Sequence, residues 1–99
     1  MKTIINNLNK AFESRVRLGI MSALAVNDAL DFTALKELLE VTDGNLASHL
    51  KALEKEDFVA VKKTFIGRKP NTRYYITSLG KREFEEHITA LENLIKSQK

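Results

Sequence analysis

Between residues 32 and 58 the chain carries two runs of helical periodicity separated by only two residues, a pattern that few folds can accommodate. In the second run, TDGNLASHLKALEKEDF at 42 to 58, Leu46, Leu50 and Leu53 recur at spacings of four and three, so they form one stripe that must face a core. Thr42 is placed to cap this helix, its hydroxyl accepting a free backbone N–H of the first turn. Asp43, just inside, suits the positive end of the helix dipole. At about 100° per residue, Gly44, Asn45, Ser48, Lys51 and Lys55 fall opposite the leucines, while Glu54 and Glu56 fall nearer the edges of the stripe. Small, neutral and basic side chains at the N-terminal end of a helix let it sink into a groove lined with phosphates.

The first run, FTALKELL at 32 to 39, predicts a short helix with Thr33 as its cap and Leu35, Leu38 and Leu39 as its buried edge. Only Glu40 and Val41 separate it from Thr42. Two helices joined so closely make a helix-turn-helix, whose second member enters the DNA major groove. Helix pairs with short connections also occur in purely structural roles, so charge has to arbitrate.

The net charge of +3 is modest, but its placement is uneven. Residues 1 to 40 hold five Lys or Arg against five Asp or Glu, and residues 76 to 99 hold four against four. Residues 41 to 75 hold seven against four, and from Lys62 to Arg73 there are five basic residues and no acidic one. A basic patch confined to the second helix and the segment after it is the footprint of a polyanionic partner. Ninety-nine residues allow one domain spanning 1 to 99, with 14 to 77 as its core and 78 to 97 as a C-terminal helix. No run approaches the roughly 18 apolar residues of a membrane span, so no membrane partner is expected. The first ten residues, MKTIINNLNK, have no apolar signal core, so no export is expected either. The absence of cysteine excludes disulfides and thiolate metal sites and fits a cytoplasmic location.

Read in order, Ile4, Ile5 and Leu8, with Phe12 next, have helical spacing near the N-terminus and predict docking against something, a second subunit among the choices. Ser14 caps a helix from 15 to about 26 whose apolar face is Val16, Ile20, Ala23 and Leu24, widened by Leu18 and Met21. Met21 reads as core filling. Residues 30 to 32 are compatible with a small edge strand that pairs with a hairpin. That hairpin comes from FVAVKKTFI at 58 to 66 and RYYIT at 73 to 77, each alternating in strand fashion, with a tip of Gly67, Arg68, Lys69, Pro70 and Asn71. Tyr74 and Tyr75 face opposite ways, and the sequence leaves open which one is core. Thr77 and Ser78 start a last helix that runs to about Lys96 and would be roughly 28 Å long. Its stripe of Phe84, Ile88, Leu91 and Ile95, with Leu94 beside it, is longer than so small a domain covers alone. The stripe from Phe84 to Ile95 is therefore assigned to a homodimer interface, its far half against the same helix of a partner subunit, together with Ile4, Ile5 and Leu8.

With this order of elements, and with SRVRLGIMSAL at 14 to 24, TDGNLASHLKALEKEDFV at 42 to 59 and VKKTFIGRKPNTRYYITSLGK at 61 to 81, the chain resembles the winged helix-turn-helix transcriptional regulators of the MarR and ArsR type. It is closest to the compact bacterial and archaeal group with a single wing and a C-terminal dimerisation helix. The resemblance implies a mainly α fold with a small β-hairpin (α+β). It also implies base reading by the first two turns of the recognition helix, here Asp43, Gly44, Asn45, Ala47, Ser48 and Lys51, with Thr42 at its head and Arg68, Lys69 and Arg73 as wing cations. ArsR-type metal sensing is not carried over, because that group's cysteine or clustered histidine ligands are missing.

Among individual residues, Asn45 suits adenine or a phosphate, Ser48 either a base edge or the backbone, and Lys51 and Lys55 phosphates. His49 is expected to pack under the helix with one hydrogen bond, and His87 to lie at a solvent edge rather than at a pH-sensitive dimer seam. No glycine-rich phosphate loop, activated nucleophile or pair of histidines at ligand spacing occurs, so neither an enzyme nor a cofactor nor a metal is expected. The reading is a homodimeric double-stranded DNA-binding transcriptional regulator on a pseudo-palindromic operator. A winged-helix protein-interaction module and an RNA-binding winged helix are the alternatives. No polar cluster marks a small-molecule effector site.

Overall fold

The computed structural model describes residues 5 to 97. A 3-10 turn at Lys10–Phe12 leads into α1 (Arg15–Val26), β1 (Leu30–Asp31), α2 (Phe32–Leu39), α3 (Asp43–Lys55), β2 (Val59–Ile66), β3 (Lys69–Ile76) and α4 (Ser78–Lys96). The strands form one antiparallel sheet in the order β1-β3-β2. This is the expected α+β arrangement of four helices and a hairpin, with the two-residue edge strand pairing Leu30 with Tyr74 and Asp31 with Arg73.

Helix starts follow side-chain oxygens. Ser14, Thr42 and Thr77 accept from the backbone N–H groups of Arg17, Asn45 and Gly80. Asp31, not Thr33, caps α2, its carboxylate accepting the Ala34 N–H at 2.8 Å. Asp31 thus ends a strand and begins a helix at one position. The turn between α2 and α3 is made by Glu40 in the left-handed region (φ 53°), where its N–H bonds the Lys36 carbonyl.

The core gathers Ile20, Met21 and Leu24 of α1, Leu35 of α2, the leucine stripe of α3, and Phe58 and Val59. Leu38 departs from the predicted edge of α2 and is 60% exposed. Phe12 sits at the centre of the junction with α4, its ring 5.3 Å from that of Phe58, 5.4 Å from Phe84 and 5.3 Å from His87. The core therefore reaches past 14 to 77 on both sides. Phe84, assigned to the dimer interface, is 7% exposed and packs within its own chain, edge-on to the ring of Phe12. His87 is not at a solvent edge. It is buried, its Nδ1 accepting the Asn9 backbone N–H at 3.0 Å, so the N-terminal segment is strapped onto α4. Burial lowers the His87 pKa, against an opposing pull from Glu13.

Two close contacts seat α4. Thr77 donates its hydroxyl to the Asp57 carbonyl at 2.7 Å and its N–H to the Phe58 carbonyl at 3.1 Å. Gly80 then passes so near that a Cβ would lie 2.1 Å from the Phe58 oxygen. Beyond Ala90 the helix projects. The molecule measures 56 × 25 × 21 Å with a radius of gyration of 15.0 Å, against about 13 Å for a compact domain of this length.

Candidate nucleic-acid interface

The face of α3 turned from its leucines is uncovered by any described part of the chain. Thr42, Asp43, Gly44, Asn45, Ala47, Ser48, Lys51 and Lys55 are all exposed, while Leu46, Leu50 and Leu53 are buried beneath them. The one acid at the head of this face is paired: Lys36 of α2 reaches Asp43 at 2.7 Å, which ties the two helices and offsets a charge that would repel phosphate. Such a surface pair is worth up to about 1 kcal/mol. Nothing lies within 4 Å of a Cβ built on Gly44. Packing does not require glycine there; what glycine leaves is bare backbone that another surface can approach closely.

A contact that periodicity could not reveal holds α3 from below. The Arg17 Nε donates to His49 Nδ1 at 3.0 Å and its Nη1 to the Ala11 carbonyl at 3.4 Å, linking α1, α3 and the 3-10 turn. His49 packs as expected, but Arg17, 32 residues away, carries no local sign of this task in the sequence.

The hairpin is longer and sharper than predicted. Its turn is only Gly67 and Arg68, with Gly67 at φ +64° and no positive φ at Arg68, the signs of a type II′ turn. Lys69, Pro70 and Asn71, assigned to the tip, belong to β3 and pair with Ile66, Phe65 and Thr64. Proline is tolerated because β1 covers β3 only at Arg73 and Tyr74, leaving the rest of that side an open edge. Tyr74 packs on the core and Tyr75 is exposed on the outer face. Burial, with Glu54 near it, raises the Tyr74 pKa.

On that outer face Lys62 lies directly opposite Arg73, a like-charge pair that weakens a sheet in isolation. Arg73 is not at the tip, and on its other side Asp31 stands in register. Arg68 and Lys69, by contrast, are exposed at the outer end, and no acidic residue occurs between Asp57 and Glu83. Ile5, Ile88 and Ile95 of the assigned dimer surface are exposed and Leu8, Leu91 and Leu94 are half-buried; Ile4 lies outside the described residues.

A helix-turn-helix with its second helix bare toward solvent and a cationic hairpin on the same chain defines a winged helix. A family model of the winged helix DNA-binding domain matches residues 16–95, and the chain belongs to that family. It is 40% identical over 88 residues to an uncharacterized protein of Methanocaldococcus jannaschii, covering 89% of this chain and 96% of that one. Its fold matches a transcriptional regulator homologue from Pyrococcus horikoshii OT3 with a TM-score of 0.90 and 29% identity, over 100% of this chain and 99% of the other. A MarR-family regulator from Enterococcus faecalis V583 shares the fold with a TM-score of 0.72 at 18% identity, over 97% of this chain and 82% of that one. The chain is thus a DNA-binding protein of the transcriptional-regulator class, not an enzyme. Among the described residues no helix is long and apolar enough to cross a membrane.

Proposed function

We propose that the chain acts in the cytoplasm as a homodimer on a pseudo-palindromic operator. Each α3 lies in a major groove, with half-site centres about 34 to 36 Å apart. The observation that carries this reading is the uncovered face of α3, where bare backbone at Gly44 sits beside Asn45, Ser48 and Lys51. Asn45 and Ser48 read base edges; Lys51, Lys55, Arg68 and Lys69 neutralise phosphates. Arg73, beside Asp31, adds less.

Surface area supports the dimer. The chain exposes 7075 Å², against about 5,700 Å² for a compact monomer of this size. The excess is of the order that one subunit loses in a stable interface. Ile88 and Ile95, 39% and 69% exposed along α4, supply an apolar strip for it.

Duplex affinity measured by fluorescence anisotropy over a range of salt tests the reading. Arg68→Ala and Lys69→Ala should each weaken duplex binding and lower the salt slope by about 0.9. Unchanged affinity and slope would remove the wing from the interface, and failure of the wild-type chain to bind duplex at low salt would favour a protein-interaction module.

A further inference from the structure

The outer end of the wing holds more apolar surface than a phosphate probe needs. Along one pleat face of β2 exposure climbs from Val59 at 2% through Val61 at 36% to Phe65 at 74%, so the core ends well before the hairpin does. Ile66, 67% exposed, points to the other face, and the turn of Gly67 and Arg68 follows at once. Across the ladder stand Pro70 and Lys69. Phe65 and Ile66 therefore add nothing to the core, and exposed apolar residues on a hairpin invite unwanted association. Around them are Lys63, Arg68 and Lys69, all exposed. A ligand complementary to this end has an anionic rim and an apolar interior reached through a narrow opening, and the edge of a stacked base pair in the minor groove answers that description.

We propose that the wing is a wedge: Phe65 enters a base step in the minor groove flanking each half-site, partly unstacks it and bends the duplex, while Arg68 and Lys69 hold the adjoining phosphates. The inference rests on the DNA-reading role of α3 and adds a second source of specificity to it. Pyrimidine–purine steps such as TA unstack readily, whereas A-tracts are stiff, and their narrow minor groove attracts arginine without any wedge. A wing that acts only through its cations favours A-tracts; a wing that inserts Phe65 favours TA steps.

The test uses two duplexes of equal length and base composition, one built on repeated TA steps and one on A-tracts, each with a dye pair at its ends for energy transfer and 2-aminopurine beside the steps. The wild-type chain should prefer the TA duplex by roughly tenfold, shorten its end-to-end distance and raise 2-aminopurine fluorescence. Phe65→Ala, exposed and so expected to melt at the wild-type temperature, should reverse the preference and abolish both optical signals while still binding. Wild-type binding to a duplex that stays straight and stacked overturns the wedge and leaves the role of α3 intact. Absence of binding to either duplex overturns both. If Phe65→Ala instead changes sedimentation, or binding to anionic lipid vesicles, with the duplex signals unaltered, the apolar end serves another surface and the wedge is overturned.

Discussion

Gly44 separates what folding needs from what recognition needs. It stands in the first turn of α3 with open space where a side chain would be. Replacing it with alanine should stabilise the free protein by a few tenths to about 1 kcal/mol through helix propensity. The same methyl group, placed where DNA approaches the backbone, should lower duplex affinity several-fold. A thermal melt and an anisotropy titration on Gly44→Ala check the two halves; a variant that binds as well as the wild type would mean that Gly44 keeps its distance from DNA. Gly80 gives the opposite case, since an added Cβ meets the Phe58 carbonyl at 2.1 Å and backbone cannot yield as a side-chain tip does. Gly80→Ala should cost about 3 kcal/mol or more, read as a depressed Tm, by forcing α4 away from the α3–β2 turn.

At the scale of elements, the helices were legible because their signals are local. The leucine stripe of α3 and the hydroxyl caps at Ser14, Thr42 and Thr77 are set by spacing alone. What was not legible depends on neighbours distant in sequence. Pro70 and Asn71 read as a loop because nothing in the sequence says that β1 is only two residues long and leaves β3 an open edge. Thr33 looked like the cap of α2 because Asp31 had first to be recognised as the end of a strand. The turn at Glu40 lacks the glycine that would have announced it. His87 looked peripheral on its helix, and only the return of Asn9 and Phe12 buries it. That burial has a consequence in pH. With its folded pKa lowered, His87 is neutral when folded, and between its folded and unfolded pKa the unfolded chain binds the extra proton. Its contribution to stability is intact above about pH 6.5, the unfolded value, and is lost as pH falls through the folded pKa. The Tm should drop between pH 7 and 5, and the drop should be shallower in His87→Gln if the histidine is its source.

For the whole molecule, which is elongated at 56 × 25 × 21 Å, the wing and the far half of α4 each leave apolar surface in solvent. The proposed dimer covers the second. Ile88→Glu together with Ile95→Glu should convert a dimer to a monomer in sedimentation equilibrium and weaken binding to a two-half-site duplex by at least an order of magnitude, with little change in binding to one half-site. A pair of substitutions that leaves the sedimenting mass unaltered would place the interface elsewhere. Both the dimer and the wing serve the exposed side of α3, which is proposed to read bases. Selecting bound duplexes from a randomised pool, with the wild-type chain and with Asn45→Ala and Ser48→Ala, tests that role most directly. The wild type should enrich an inverted repeat and each variant should change the base preference at the same positions; a pool that returns unenriched, or one consensus shared by all three chains, would contradict base reading by α3.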